Sequence, residues 1–173
     1  MLSSTPQIGG LTFSTFHLLA STEAMIIQKA TVSDAEEILL LQKLAYKSEA
    51  ELYHDYDIPP MTQTLKNIQD DFERQIFLKA TFDEKIIGSV RAFAQGETCH
   101  IGRLLVHPDF QNQGIGTKLM NEIESWFRAC KRFELFTGDK SEKNMALYQK
   151  LGYETFKTEK ITEQITLVYL EKH

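Results

Sequence analysis

The sequence predicts an α+β fold, and three observations carry the prediction. Apolar residues recur at spacings of three and four in some segments and form short β-branched runs in others, which are the periods of helix and strand. Three strand-like runs follow one another with only turn residues between them, the pattern of an antiparallel meander. At 173 residues, 42% of them apolar, the chain is long enough for one core and too short to expect two.

The elements follow in order. Ile26 to Thr31 reads as a strand, and Ser33 and Asp34 start a helix with Glu36 and Glu37 in its first turn, where the helix dipole favours carboxylates. That helix runs to about Tyr53. Pro59-Pro60 then breaks the pattern, because proline has no amide to donate and its ring clashes with the preceding turn. A second amphipathic helix is expected from Met61 to about Arg74. The meander follows as Ile76 to Phe82, Lys85 to Ala94 and Thr98 to Val106, separated by Asp83-Glu84 and Gln95-Gly96-Glu97. Ile115, Leu119, Met120, Ile123, Trp126 and Phe127 then return to helical spacing, so a helix begins near Gly114. Arg132 to Thr137 reads as a strand, Ser141 to Leu151 as a helix, and Tyr153 to Glu159 and Gln164 to Glu171 as two closing strands. Residues 1–24, rich in Ser, Thr and Gly with no Lys or Arg, read as a dispensable extension ahead of a domain over 25–173.

Composition excludes several classes. A net charge of -5 with no basic block leaves nothing to neutralise a phosphate backbone, so nucleic acid is not expected as a partner. Cys99 and Cys130 match no metal-ligand or redox spacing and read as reduced thiols, so no metal is expected. No run approaches the ~20 apolar residues of a membrane span, and the N-terminus lacks a basic signal region, so a cytoplasmic location away from membranes is expected.

The most informative stretch runs from Leu104 to Thr117, where a strand ends, a loop turns, and Gly114 and Gly116 open a helix. Free backbone amides and the positive helix end favour an anion there, and glycine lets the main chain approach phosphate oxygens. Three anion-loop readings compete. A nucleotide-triphosphate loop needs Gly-Lys-Ser/Thr, but Gly116 is followed by Thr117 and then Lys118. A dinucleotide loop needs a third glycine where Leu119 stands. The third reading is a glycine-rich helix start that holds no ligand.

The surrounding residues favour a further reading. Gln111-x-x-Gly114-x-Gly116 after the strand end resembles the coenzyme A loop of the GNAT superfamily, the Gcn5-related N-acetyltransferases. Ala146-Leu147-Tyr148-Gln149-Lys150-Leu151-Gly152-Tyr153 resembles that family's second signature, and the resemblance covers roughly residues 26 to 171. It implies a mixed, mostly antiparallel sheet of six or seven strands flanked by about four helices, with a splay between the fourth and fifth strands. It also implies acetyl-CoA as cosubstrate. The amides of Asn112, Gln113, Gly114, Ile115, Gly116 and Thr117 would then wrap the diphosphate, with Gln111 in the same signature. Leu104, Leu105 and Val106 would pair with the pantetheine arm as an added strand does.

Transfer of acetyl to an amine needs a neutral nucleophile, a stabilised oxyanion and a proton for the departing thiolate. Tyr148 matches the family's general acid, and His100, four residues before Leu104, occupies a position used for the base in arylalkylamine-type members. Glu97 and Glu134 are alternatives acting through water. The chain departs from the family at two points. Phe136 stands where many members place a glutamate base, and Ser141 stands where an asparagine touches pantetheine, with Asn144 one turn further on as a substitute. Glu49, Glu51, Tyr53, Asp55, Tyr56 and Asp57, in the connection up to Pro60, would favour a cationic amine. A small-molecule amine, a peptide amine, and a non-catalytic acyl-CoA sensor all stay open, and the resemblance allows a homodimer.

Overall fold

The computed structural model describes residues 24–173. The extension expected over residues 1–24 falls outside them except for its last residue. The strands are β1 (Ile26–Lys29), β2 (Ile76–Phe82), β3 (Lys85–Gln95), β4 (Thr98–Val106), β5 (Arg132–Gly138), β6 (Glu154–Lys160) and β7 (Thr166–Lys172). They form one seven-stranded sheet in the order β1-β2-β3-β4-β5-β7-β6. Every neighbouring pair is antiparallel except β4 with β5, which are parallel and joined through a helix. The helices are α1 (Ala35–Tyr53), α2 (Pro59–Thr62), α3 (Leu65–Phe72), α4 (Ile115–Trp126) and α5 (Glu142–Lys150).

Local chemistry sets the helix limits. The Thr31 amide donates to Asp34 Oδ2 at 2.8 Å, which closes the start of α1 after a short 3-10 turn. The helix expected from Met61 to Arg74 is two helices. Pro59 and Pro60 begin α2, where the missing amide costs nothing because first-turn amides have no intrahelical acceptor. Thr64 then caps α3, its Oγ1 accepting from the Asn67 amide at 3.2 Å, and so restarts the helix.

The sheet is covered on both faces. Phe77 and Leu78, and likewise Ile86 and Ile87, are consecutive in their strands and therefore point to opposite sides. Leu78 and Ile87 join Val90, Ala92 and Ile101 against Leu119, Met120 and Ile123 of α4. Phe77, Ile86 and Leu105 pack instead against Ile38 and Leu41 of α1 and Ile68 of α3. Burying aliphatic side chains of this size contributes about 1.5–3 kcal/mol each, so these two faces hold the strands that frame the site.

The sheet parts at its centre. Pairing of β4 with β5 is limited to Thr98 with Arg132, Cys99 with Phe133 and His100 with Glu134. Beyond that point the two strands continue to Val106 and Gly138 without meeting. The register of β4 on β3 also slips by one residue between Ser89–Leu105 and Arg91–Gly102, a bulge in which Arg103 takes a left-handed φ of 51°. A bulge bends its strand and raises its twist, which turns β4 away from β5.

Candidate functional site

A groove of ≈ 1540 Å³ opens where β4 and β5 separate. Its base is Gly102 to Leu104 and Val106, one end is the start of α4, and the other is walled by α1, the end of β5 and α5. Because the ladder stops at His100 and Glu134, the β5-facing main-chain groups of β4 beyond His100 have no strand partner.

At the α4 end the main chain presents donors. The amides of Asn112 through Thr117 donate to no acceptor among the described residues, and the first intrahelical bond is Lys118 N to Gly114 O at 3.0 Å. Two residues bend the loop into this shape, Asn112 at φ 61° and Gly114 at φ 79°. A side chain at Gly114 would project into open space, with no atom within 4 Å of its Cβ, so this glycine keeps the approach to the free amides clear. Gly116, which lines the groove, also has a packing role. Its Cβ would lie 3.3 Å from Leu147, so its smallness lets α5 pack onto α4. The Gln111 side chain donates to Val106 O at 3.4 Å and ties the loop back to β4.

At the opposite end the donors and acceptors are side chains. Tyr148 of α5 lines the groove while only 7% exposed, and its hydroxyl makes no hydrogen bond among the described residues. Burial pushes its pKa well above the usual phenol range, and the neighbouring Tyr46 and Glu49 push it further. The phenol is thus held neutral with its proton in place. Ser141 donates its hydroxyl to Glu49 Oε2, and Asn144 Nδ2 donates to Thr137 Oγ1 at 3.3 Å, so both expected contacts lie on the wall.

Most of the residues singled out in the sequence line this groove: Leu104, Val106, Gln111, Asn112, Gly114 to Thr117, Ser141, Asn144 and Tyr148. Leu105 does not, since its side chain is buried against α1, although its main chain runs along the splay. Gln113 and His100 are also absent from the wall. His100 stacks on Phe93 with ring centroids 5.0 Å apart, and its Nδ1 is 4.0 Å from Glu134 Oε1. It shares a face of β4 with Gly102, the next residue on that face, which does line the groove. Glu134 is itself held by Arg132 at 2.8 Å. Glu97 pairs with Lys131 at 2.5 Å at the exposed β3–β4 turn and lies outside the groove. Phe136 lines the wall, 51% exposed and 5.5 Å from the Tyr169 ring.

The acidic and aromatic loop is also corrected. Glu49, Glu51 and Tyr53 line the groove from the last turns of α1, because the helix reaches Tyr53, whereas Asp55, Tyr56 and Asp57 do not. Tyr53 is buried and works structurally. Its hydroxyl donates to Asp139 Oδ1 at 3.0 Å and accepts from the Lys140 amide at 2.7 Å, which docks α1 on the β5–α5 turn. Burial and the Asp139 carboxylate push its pKa up to about 12, against a partial offset from the Lys140 amide.

Sequence reasoning missed Arg91, Arg103 and Tyr46. Arg103 lines the groove with its guanidinium 5.7 Å from the Tyr46 ring, and its Nε is buried without a hydrogen-bond partner. Arg91 is 8% exposed, and its Nη1 lies 3.0 Å from Asp71 Oδ2 without making a hydrogen bond. Burial, and after it the Arg103 charge, lowers the Arg91 pKa to about 10 against the opposing pull of Asp71. Only the left-handed backbone at Arg103 brings that side chain into the groove wall, and nothing in the local sequence marks it. Among the described residues no group of three or more His, Cys, Asp and Glu is placed to hold a metal ion, and no helix is long and apolar enough to cross a membrane.

Comparisons with known proteins place this geometry. Residues 38–153 match the model of the Acetyltransferase (GNAT) family. The chain is 28% identical over 141 residues to UPF0157 protein YqkA of Bacillus subtilis, covering 82% of this chain but only 40% of that protein's length. It is 29% identical over 125 residues to acetyltransferase YE1169 of Yersinia enterocolitica, covering 71% of this chain and 83% of that protein. The fold matches PaiA N-acetyltransferase from Thermoplasma acidophilum in complex with coenzyme A, with a TM-score of 0.70 at 16% identity over 84% of this chain and 98% of that one. The ribosomal-protein-S18-alanine N-acetyltransferase from Escherichia coli matches with a TM-score of 0.72 at 16% identity, over 86% and 92% of the two chains. With its family model, its seven-stranded split sheet and its glycine-opened helix in agreement, this chain belongs to the GNAT family of acetyltransferases.

Proposed function

We propose that the protein transfers an acetyl group from acetyl-CoA to a primary amine by direct attack of the amine within the groove. One observation carries the reading: the unbonded amides of Asn112 and Gly114 to Thr117 and the unbonded hydroxyl of Tyr148 belong to residues lining the same groove. The residues present fit the cosubstrate. Free amides at a helix N-terminus match a diphosphate, and the unpaired edge of β4 at Leu104 to Val106 matches the amide groups of a pantetheine arm. Gln111, Ser141 and Asn144 border the same channel, though Ser141 is engaged with Glu49 and Asn144 with Thr137.

Acetyl-CoA supplies the activated thioester. The protein's own part is to orient it, to donate a proton and to free the amine. Tyr148 holds a proton on its Oη, its raised pKa keeps that proton in place at neutral pH, and it would pass the proton to the sulfur as the carbon–sulfur bond of the thioester breaks. His100, backed by Glu134, accepts the amine's proton through water, since it is near the splay but off the groove wall. Glu49 and Glu51 give the α1 end an acidic character that attracts an amine in its cationic form.

Calorimetry with acetyl-CoA against ATP and NAD, followed by thiol release across a panel of amines, tests the reading. Binding selective for acetyl-CoA and amine-dependent thiol release are expected. Selective binding with no release from any amine would leave a non-catalytic acyl-CoA binder, and no binding would end the proposal.

A further inference from the structure

The acceptor half of the groove holds both signs of charge. Glu49 supplies a carboxylate on α1, and Arg103 supplies a guanidinium over Tyr46, one turn earlier on the same helix. Residues three apart on a helix are neighbours, with about 5–6 Å between their Cβ atoms. The guanidinium over Tyr46 and the carboxylate of Glu49 therefore belong to the same stretch of the groove wall, open to the two ends of one small molecule.

The positive charge is not consumed within the protein. Arg103 sits close enough to Arg91 to disfavour the Arg91 charge, while Asp71 is the acid beside Arg91. Asp71 is shared further, since its Oδ2 accepts from Gln63 Nε2 at 2.7 Å. Arg91 Nη1, in a side chain more than nine-tenths buried, and Arg103 Nε both lack hydrogen-bond partners. Two guanidiniums against one carboxylate leave the charge of Arg103, the one on the groove wall, unmatched, and leaving its buried donor unpaired is costly unless a ligand completes it. The bulge that throws Arg103 into a left-handed conformation is the device that presents it there, a strained backbone of the kind that accompanies ligand sites.

We infer that the acceptor is an amino acid or a similarly small amino-carboxylate, its carboxylate bound by Arg103 and its amine held on the Glu49 and Tyr148 side. Arg103 is a specificity residue. The inference rests on the proposed acetyl transfer and narrows its acceptor. It also accounts for an acidic wall and a basic wall in one groove, which a simple cationic amine would not need.

The test compares amino acids with their carboxamide derivatives, which keep the amine and lose the negative charge. Thiol release should show at least a tenfold preference in kcat/KM for the acids, as expected for a charge-assisted hydrogen bond. Arg103→Gln should reduce that preference to about threefold or less, and Arg103→Lys should recover part of it through charge alone. Thermal shift reads the same site without turnover: amino acids should raise the Tm of the wild type more than their carboxamides do, and Arg103→Gln should erase the difference. Turnover of amines with equal preference for acid and carboxamide, or a preference that Arg103→Gln leaves intact, overturns the inference and spares the acetyl-transfer reading. No turnover of any amine, with an acid-selective thermal shift that depends on Arg103, overturns the acetyl-transfer reading and keeps the carboxylate site. No turnover and no acid-selective shift overturns both.

Discussion

At the α4 end of the groove the protein offers main-chain amides, whereas at the α1–α5 end it offers side chains. The first end is built by the shape of one contiguous stretch, β4 through the loop to α4, and tolerates changes of side chain wherever the backbone can keep its form. The second end is built by contacts between distant elements. Ser141 meets Glu49, and Tyr53 meets Asp139 and Lys140, across most of the domain's sequence. On the proposed reading, one end would hold the cosubstrate and the other would set the acceptor.

The sharpest test of this division is Tyr148→Phe. If Tyr148 is the proton donor, kcat should fall by about 10²–10⁴, the range for loss of a general acid, while calorimetry finds acetyl-CoA affinity within about twofold. An equal loss in both quantities would erase the distinction between the two ends. The converse change is Gly114→Ala. A methyl group at φ 79° carries strain of about 1–2 kcal/mol and enters the open approach to the free amides. Acetyl-CoA affinity should fall by about tenfold or more, with Tm lower by a few degrees, and an unchanged affinity would remove the diphosphate from this end.

The same division explains what could be read from the sequence. The strand–loop–helix end was legible because it is built from residues adjacent in the chain, Gln111 to Thr117, and the seven strands were legible from period and turn residues. The side-chain end was only half legible. Tyr148 carries a local signature, but the Arg103 side chain reaches the groove through a bulge that depends on how β4 sits on β3. The second helix was misread for a local reason, since the cap at Thr64 uses Asn67 where Glu or Gln is the usual signal. The packing of Gly116 was not legible, because its partner, Leu147, lies on another helix.

A third test asks whether the side-chain end is held as well as shaped by its contacts. Tyr53→Phe removes a donor to Asp139 and an acceptor from Lys140. Two lost hydrogen bonds should cost about 1–2 kcal/mol, lowering Tm by roughly 2–8 °C for a chain of this size. The pH dependence has a defined sign. Folding raises the phenol from the ordinary 10.0 to about 12, so the native state holds this proton more tightly. The associated stabilisation is complete below pH 10 and is lost as pH rises through about 12. Tyr53→Phe should flatten that alkaline loss in denaturation curves, and an unchanged profile would show that the proton is not held there.

The smallest effect separates His100 from Glu97. Both were candidates for the base, but His100 lies at the last paired position of β4 and β5 while Glu97 is tied to Lys131 on the exposed turn. An alkyl amine of pKa about 10 is almost wholly protonated at pH 7, so a relay that removes the proton matters most at low pH. His100→Gln should lower kcat/KM by about fivefold at pH 7, less than direct acid–base catalysis supplies because the proton passes through water. The defect should shrink towards pH 9, where free amine becomes about a hundredfold more abundant. Glu97→Gln should stay within about twofold at every pH, as expected for an exposed ion pair remote from the groove. A His100 defect independent of pH would instead reassign this residue to holding the end of the β4–β5 ladder, through its stack on Phe93 and its contact with Glu134.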